Sequence, residues 1–184
     1  MKIQIIGASG TGKSTLGQYI AEKELVKWID TDCYIWQDDT FTKAHAIPER
    51  LKRYQNDRKL FKDFIASGSV FGWNPEGFMD RDLLVFLFLD EDLRMERLKK
   101  REVERGGDSA LILDENGEQT NEFIEWCKTY YTAQNPSDIG TYAEHRYQIE
   151  HSVSPVLKLN SDNSLETLHH LIIDAFHKQY KRRS

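Results

Sequence analysis

Residues 7–14 read Gly7-Ala8-Ser9-Gly10-Thr11-Gly12-Lys13-Ser14, which fits G-x-x-x-x-G-K-[ST] at every fixed position. The apolar run Ile3-Gln4-Ile5-Ile6 comes immediately before it, and residues 13–22 carry a helical pattern. A glycine-rich turn between a strand and a helix leaves few architectures open, because the helix has to fold back across the sheet that holds the strand. Each position in the turn has a physical task. Glycines let backbone N–H groups turn inward around a polyphosphate with no Cβ in the way. The start of the helix adds partial positive charge. Lys13 is expected to reach the β- and γ-phosphates of ATP, and the Ser14 hydroxyl to ligate Mg2+. Thr15 follows in the first helical turn. Gly7, Ser9, Gly10, Thr11, Gly12, Lys13, Ser14 and Thr15 are therefore the candidate nucleotide-binding residues.

Downstream, strand-like runs alternate with helical patterns, as in an α/β domain with a parallel sheet. Residues 25–29 read as a second strand. Between 49 and 66, Leu51, Tyr54, Phe61 and Ile65 recur at helical spacing behind Pro48, so a helix is expected there, with a third strand at 69–72. Residues 83–89 form an unbroken apolar run, as a parallel strand covered on both faces requires. Asp90 stands where a helix N-cap belongs, Glu91 and Asp92 favour the positive helix start, and Gly106-Gly107 mark its end. Residues 156–159 read as a fifth strand. Ser164 then caps a last helix whose Leu165, Leu168, Leu171, Ile172 and Phe176 form one apolar stripe. The stretch 108–152 breaks the alternation. It is polar, carries the aromatics Phe123, Trp126, Tyr130, Tyr131, Tyr142 and Tyr147, and is expected to form two helices around Asn135-Pro136 as a lid.

With 184 residues the chain suffices for one well-buried domain and is short for two. A net charge of −5 argues against a general nucleic-acid surface, and the basic run at 178–183 reads as a solvated helix end. No apolar run approaches the ~20 residues of a membrane-spanning helix. The first residues lead straight into glycines instead of a signal-peptide core, and Cys33 and Cys127 are isolated. A cytoplasmic protein with neither a membrane nor a nucleic-acid partner is expected.

A phosphate loop indicates what is bound, not what is done with it. Asp30 and Asp32, at i and i+2 after the second strand, would face the same crevice as the loop. One carboxylate, assigned here to Asp30, is suited to the Mg2+ shell, and the other, Asp32, to receiving an acceptor. The competing reading is a polar turn held by Asx hydrogen bonds. Arg97 and Arg101 are four apart on the helix after the fourth strand and share a face, with Arg94 and Arg105 nearby. Guanidinium groups leading into a lid would close over the nucleotide and spread transition-state charge. The competitor is a solvated face, since Glu96, Lys99, Lys100, Glu102 and Glu104 are interspersed.

These motifs resemble those of the adenylate-kinase-like P-loop kinases, and within them the small bacterial topology-modulation or adenylate-kinase-related group. The resemblance covers nearly the whole chain. It is carried by residues 5–15, by Ile29-Asp30-Thr31-Asp32, and by Val85-Phe86-Leu87-Phe88-Leu89-Asp90 leading into Arg97 and Arg101. It continues in Phe123-Ile124-Glu125-Trp126 and Ser154-Pro155-Val156-Leu157-Lys158-Leu159. It implies a three-layer αβα fold with a five-stranded parallel sheet in the order 2-3-1-4-5 and a helical lid insertion. Residues 1–184 would then be a single kinase domain, with a core of about 1–32, 68–105 and 153–184, an acceptor-binding helical region of about 33–67, and a lid of about 106–152. It further implies that Arg97 and Arg101 contact ATP, that residues 160–163 lie near the adenine, and that Asp30 and Asp32 match the two carboxylates of shikimate-kinase-like enzymes.

The pattern departs from nucleoside monophosphate kinases at the acceptor. Their Asp-Gly-Phe-Pro-Arg stretch is replaced by Phe71-Gly72-Trp73-Asn74-Pro75, and their arginine after the second strand by Tyr34-Ile35-Trp36. Arg50, Arg53, Arg58 and Arg81 are candidate substitutes, each competing with a role as a solvated charge. Trp36 and Trp73 would either stack a flat acceptor or pack internally. Phe86-Leu87-Phe88-Leu89-Asp90-Glu91 superficially fits the metal-binding strand of a hydrolysing ATPase, although Asp90 reads better as a helix cap. Two functional readings follow. The first is a Mg-ATP-dependent kinase for a nucleotide or other small acceptor, with Lys13, Asp32, Arg97 and Arg101 catalytic and Ser14 and Asp30 on the metal. The second is a regulatory ATPase with Asp90 and Glu91 at the metal and no small acceptor.

Overall fold

A computed structural model describes residues 1–38 and 41–183 of the chain. The side chains of residues 180–183, and so most of the basic run at 178–183, lie outside the described residues. The strands are β1 (Lys2–Ile6), β2 (Lys27–Asp30), β3 (Phe64–Ser67), β4 (Leu83–Phe88), β5 (Ile112–Leu113), β6 (Gln119–Thr120) and β7 (Val156–Asn160). The helices are α1 (Lys13–Glu24), α2 (Asp32–Ile35), α3 (Ile47–Leu60), α4 (Glu91–Gly106), α5 (Glu122–Lys128), α6 (Tyr142–Glu150) and α7 (Leu165–Arg183). Five strands pair in parallel in the order β2-β3-β1-β4-β7, and β5 and β6 form a separate antiparallel hairpin. With the hairpin left out of the count, this is the expected order 2-3-1-4-5.

The period of two along each strand divides the core. Ile3, Ile5, Ile65, Leu83, Val85 and Leu87 meet Leu16 and Ile20 of α1 and Leu168 and Ile172 of α7. The alternate residues point the other way. There Phe64 and Ala66 join Tyr34, Trp73 and Phe78, and Ile6, Leu84 and Phe86 meet Tyr142 and Ile149 of α6. Helices on both faces explain why β4 is apolar throughout and the central residues of β1 and β3 are buried on both sides. Among the described residues no helix is long and apolar enough to cross a membrane.

Several expected boundaries move. The third strand is 64–67, not 69–72, and it lies inside the stretch expected to be helical up to 66. Leu51 and Tyr54 do face the core from α3, but the helix ends at Phe61, whose backbone is extended (φ −113°, ψ 113°). Pairing with β1 and β2 captures the short run Phe64-Ile65-Ala66, and Gly68, at φ 106°, ends it. Residues 70–74 instead form a turn closed by Trp73 N–H and Asn74 N–H on the Val70 carbonyl. Leu25 is the left-handed C-cap of α1 and is almost fully exposed, so β2 begins at Lys27. Leu171 is exposed, and the buried stripe of α7 is Leu168, Ile172 and Phe176. Ser164 does cap that helix, its Oγ accepting from Thr167 N–H (3.1 Å).

The region 106–152 also proves to have two parts. A 3-10 turn, the unforeseen hairpin and α5 pack on α4 through Leu98, Leu111, Ile124 and Cys127. Helix α6 instead covers the second face of the sheet, so it is a core helix as much as part of an insertion.

Parallel pairing puts the ends of β1, β2, β3, β4 and β7 on one edge, where the phosphate loop, Asp30, Gly68, Asp90 and Ser161 follow their strands. Helix α1 sits so close to β3 that a Cβ at Gly17 would stand 2.0 Å from Ser67 Oγ. That hydroxyl donates to the Lys13 carbonyl (3.0 Å) and accepts from Trp28 Nε1 (3.1 Å). Overpacking and a lost hydrogen bond of about 3 kcal/mol, set against a helix-propensity gain of about 1 kcal/mol, leave Gly17→Ala destabilised by about 2 kcal/mol. Thermal unfolding should show Tm lowered by about 4–8 °C; an unchanged Tm would mean that the α1–β3 contact yields freely.

Candidate active site

The loop between β1 and α1 is built to receive an anion. Gly7, Gly10 and Gly12 take positive φ (149°, 87° and 81°). Gly12 is the N-cap of α1, no side chain caps that end, and no acid lies in its first turn. The helix therefore starts with orphan N–H donors. A Cβ at Gly12 would meet nothing within 4 Å, so the glycine is kept by its left-handed backbone and opens onto free space. Thr11 Oγ1 donates to the Ala8 carbonyl (2.9 Å) and braces the turn from within. Lys13 Nζ donates to the same carbonyl (2.9 Å), folded over the loop. Burial pushes the Lys13 pKa below its ordinary value, with Arg101 acting in the same direction and Asp32 and Asp30 opposing. Thr15 is exposed in the first turn of α1, and Ser9 is half-buried.

The two carboxylates separate in role. Asp30, half-buried at the end of β2, accepts from the Asp32 N–H (3.1 Å), and the Ser14 hydroxyl lies near enough to favour its charged form. Burial, and then the Asp32 carboxylate, hold its pKa above the ordinary value. The Asx-type bond of the competing reading is thus present, together with the contact to Ser14. Asp32 opens α2, is exposed, and lies near enough to Lys13 and Arg101 to act on both charges.

Of the arginines, Arg97 is exposed on α4 and pairs with Asp162 (3.4 Å), in the loop after β7. Arg101 is half-buried, its guanidinium 5.3 Å from the Phe123 ring centroid, and its Nε has no hydrogen-bond partner among the described residues. Burial lowers its pKa, and Arg105 adds to that. Arg105 lies over the Phe41 ring (5.3 Å to its centroid). Asp90 caps α4, accepting from Asp92 N–H and Leu93 N–H (3.1 and 3.3 Å). Glu91 is gripped by Arg94 (2.8 and 2.5 Å).

The substitute cations do not gather at this edge. Arg58 pairs with Asp80, a carboxylate that also takes Lys2 Nζ, at the opposite end of the sheet. Arg81 is buried there and donates to Ser152 Oγ (3.0 Å) and the Phe78 carbonyl (3.2 Å). Arg53 pairs with Glu49 along α3, and Arg50 donates to the His45 carbonyl (2.8 Å). Trp73 is buried among Tyr34 and Tyr54, whereas Trp36 is half-buried against Phe41.

Three residues were not singled out by sequence. Arg94 is buried between the loop and α5. Glu144 is fully buried, taking Ser69 Oγ (2.5 Å), Gly140 N–H (2.5 Å) and Gln148 Nε2 (3.0 Å), and burial raises its pKa. His145 lies beside it, with Nδ1 3.0 Å from the Tyr130 hydroxyl and a pKa pushed down to about 3 by burial and Lys13. The spacing of Tyr142, His145 and Ile149 was the available signal for a buried helix face.

These side chains fit a magnesium-bound nucleoside triphosphate. Gly12 leaves the cradle open, and the Ser14 hydroxyl with the Asp30 carboxylate is a hard oxygen set of the kind Mg2+ takes. Two buried groups at this edge of the sheet, Arg101 Nε and Ser161 Oγ, lack hydrogen-bond partners among the described residues.

No protein-family model matches the chain. The uncharacterized protein YqaC of Bacillus subtilis (strain 168) is 38% identical over 163 residues, covering 89% of this chain and 90% of that protein. A shikimate kinase of Persephonella marina is 26% identical, covering 82% of this chain and 95% of its own. Among solved structures, a shikimate kinase from Bacteroides thetaiotaomicron superposes with a TM-score of 0.57 at 19% identity, covering 95% of this chain and 97% of the other. A gluconokinase from Sinorhizobium meliloti 1021 gives 0.56 at 14% (98% and 94%). A deoxyadenosine kinase from M. mycoides with bound dCTP gives 0.54 at 17% (97% and 100%). The chain belongs to the YqaC family and carries the αβα fold of the adenylate-kinase-like P-loop kinases.

Proposed function

We propose that this protein is a Mg-ATP-dependent phosphotransferase whose acceptor is a hydroxyl group on a small, unphosphorylated compound. The observation that carries the reading is the division of labour between the carboxylates. Asp30 is half-buried within the influence of Ser14, while Asp32 stands exposed and near enough to act on Lys13 and Arg101. In this reading the loop N–H groups and Lys13 hold the β- and γ-phosphates, and Ser14 and Asp30 hold the metal. Bound Mg2+ would neutralise charge on the phosphates. Asp32 accepts the hydroxyl proton as the acceptor oxygen bonds to the γ-phosphorus and the bond to the bridging oxygen of ADP breaks. Arg101, and Arg97 beside the loop after β7, balance the negative charge spread over the transferred group.

The acceptor class rests on the cations. Arg50, Arg53, Arg58 and Arg81 are all engaged by protein groups, two of them at the far end of the sheet. That speaks against clamping a phosphate on the acceptor. The regulatory ATPase reading needs Asp90 and Glu91 at the metal, yet one caps α4 and the other is paired with Arg94. The kinase names of the fold neighbours add an analogy, not a substrate.

ADP release from Mg-ATP, screened against nucleosides, polyols, hydroxy acids and nucleoside monophosphates, tests this directly. One unphosphorylated hydroxyl compound should stimulate turnover strongly, and Lys13→Ala should abolish it. Asp32→Asn should lower kcat by about 10²–10⁴-fold with little change in Mg-ADP affinity. Stimulation by nucleoside monophosphates alone would refute the acceptor class, and hydrolysis that no acceptor stimulates would count against the kinase.

A pH dependence follows from Asp30. Its raised pKa favours the unliganded fold at low pH, and that contribution is lost as pH rises through the folded value. Protons and Mg2+ then compete for this carboxylate above the ordinary carboxylate range. Calorimetric Mg-ADP affinity should fall as pH is lowered from about 8 towards 5. Asp30→Asn should bind weakly at both ends with a flatter profile; a wild-type slope retained in that variant would remove Asp30 from the metal.

A further inference from the structure

Arg94 has no part in the chemistry above, yet only 2% of it is exposed. Nη1 donates to the Ser9 carbonyl (3.1 Å) and Nη2 to the Cys127 carbonyl (2.9 Å). Nε and Nη2 also donate to the two Glu91 carboxylate oxygens, and the guanidinium lies 5.3 Å from the centroid of the Tyr130 ring. A buried guanidinium needs a counter-charge and partners for its N–H groups. Glu91, three residues back on the same helix, supplies the counter-charge. The grip on two carbonyls from distant parts of the chain calls for a separate explanation.

A trans peptide unit directs its C=O and N–H to opposite sides. With the Ser9 carbonyl held outward by Arg94, the Gly10 N–H is turned the other way, to the inner side of the loop. The fit is close, because a Cβ at Gly10 would lie 3.2 Å from Arg94 Cγ. The same guanidinium holds the last turn of α5 through Cys127, and Tyr130 passes the contact to His145 on α6. We propose that Arg94 is a positioning residue. It sets the Ser9–Gly10 peptide in its phosphate-receiving orientation before nucleotide arrives, and it locks the base of the 107–131 segment to that loop. The inference rests on the loop being the nucleotide site, as proposed above.

The test compares Mg-ADP binding by calorimetry and hydrogen exchange of the loop amides, without nucleotide, in the wild type, Arg94→Lys and Glu91→Gln. Lysine keeps a charge for Glu91 but loses the fork that spans both carbonyls. Arg94→Lys should bind Mg-ADP about 10- to 100-fold more weakly, the equivalent of one charge-assisted hydrogen bond. Its Gly10–Gly12 amides should exchange faster. Glu91→Gln leaves the fork in place, so its affinity should stay within about threefold of wild type even where its Tm falls. Wild-type affinity and exchange in folded Arg94→Lys would overturn the proposal. So would a loss in Glu91→Gln as large as in Arg94→Lys, which would reduce Arg94 to a buried charge. Should Arg94→Lys not fold, Arg94→Gln, able to reach one carbonyl, replaces it with the same expected loss. A wild-type protein that binds no Mg-ADP would instead sink the nucleotide reading, and the exchange comparison would still decide the role of Arg94.

Discussion

The guanidinium of Arg94 joins three segments that lie far apart in sequence: the phosphate loop at Ser9, the start of α4 at Glu91 and the end of α5 at Cys127. Taking such a charge out of water costs several kcal/mol unless it is paired and its donors are used. The carbonyls it holds are therefore fixed in place as firmly as the charge itself. Around this point the donor half of the molecule is organised. The loop turns its N–H groups inward, α5 docks on α4 through Leu98, Ile124 and Cys127, and Tyr130 links the cluster to α6.

Seven residues further along the same helix, Arg101 faces the opposite situation. It is half-buried, and its Nε, shielded from solvent, has no hydrogen-bond partner among the described residues. Its nearest carboxylate, Glu102, is at 4.0 Å. A buried donor without an acceptor is unfavourable by about 1–3 kcal/mol. Arg58 Nη1, Trp73 Nε1 and Arg81 Nε share that condition away from the site, so it is the position of Arg101 near Lys13 that gives its free donor a use in the proposed reading. Residues 94 and 101 are two turns apart and share one face of α4. One face thus carries a guanidinium satisfied by the protein beside one whose Nε, in the proposed reading, is left for the nucleotide.

The donor half was legible in the sequence because its physics is local. Glycines at fixed offsets, a lysine, a hydroxyl and a strand–helix junction specify the loop within eight residues, and Asp90 declares its helix by capping the N–H groups of Asp92 and Leu93, the second and third residues after it. The third strand was missed because Phe61 and Ile65 are four apart, which reads as a helix face. Only pairing with β1 and β2 makes 64–67 extended. Arg94 was passed over for a related reason. Its partners are backbone carbonyls 85 and 33 residues away, and carbonyls leave no mark in a sequence. The hairpin was hidden because two-residue strands are too short to carry a hydrophobic period, whereas the buried face of α6 did leave a signal in the spacing of Tyr142, His145 and Ile149.

The two halves of the site answer to different demands. A polyphosphate has one geometry, and the devices that hold it are few: inward N–H groups, a lysine, a helix start and guanidinium groups. An acceptor has no such standard shape, and the region after β2 is free to change with it. Here the candidate substitute cations are held by the protein away from Asp32. Arg58 and Arg81 stabilise the far end of the sheet through Asp80 and Ser152, and Tyr34, Tyr54 and Trp73 fill the space behind α2 with aromatic packing. Asp32 has Lys13 and Arg101 as neighbouring charges, while Trp36 is half-buried against the exposed Phe41 and Arg105 lies over that ring. In the proposed reading those two cations serve the nucleotide, so an acceptor phosphate would need further cations of its own, whereas a neutral hydroxyl needs only a carboxylate to take its proton.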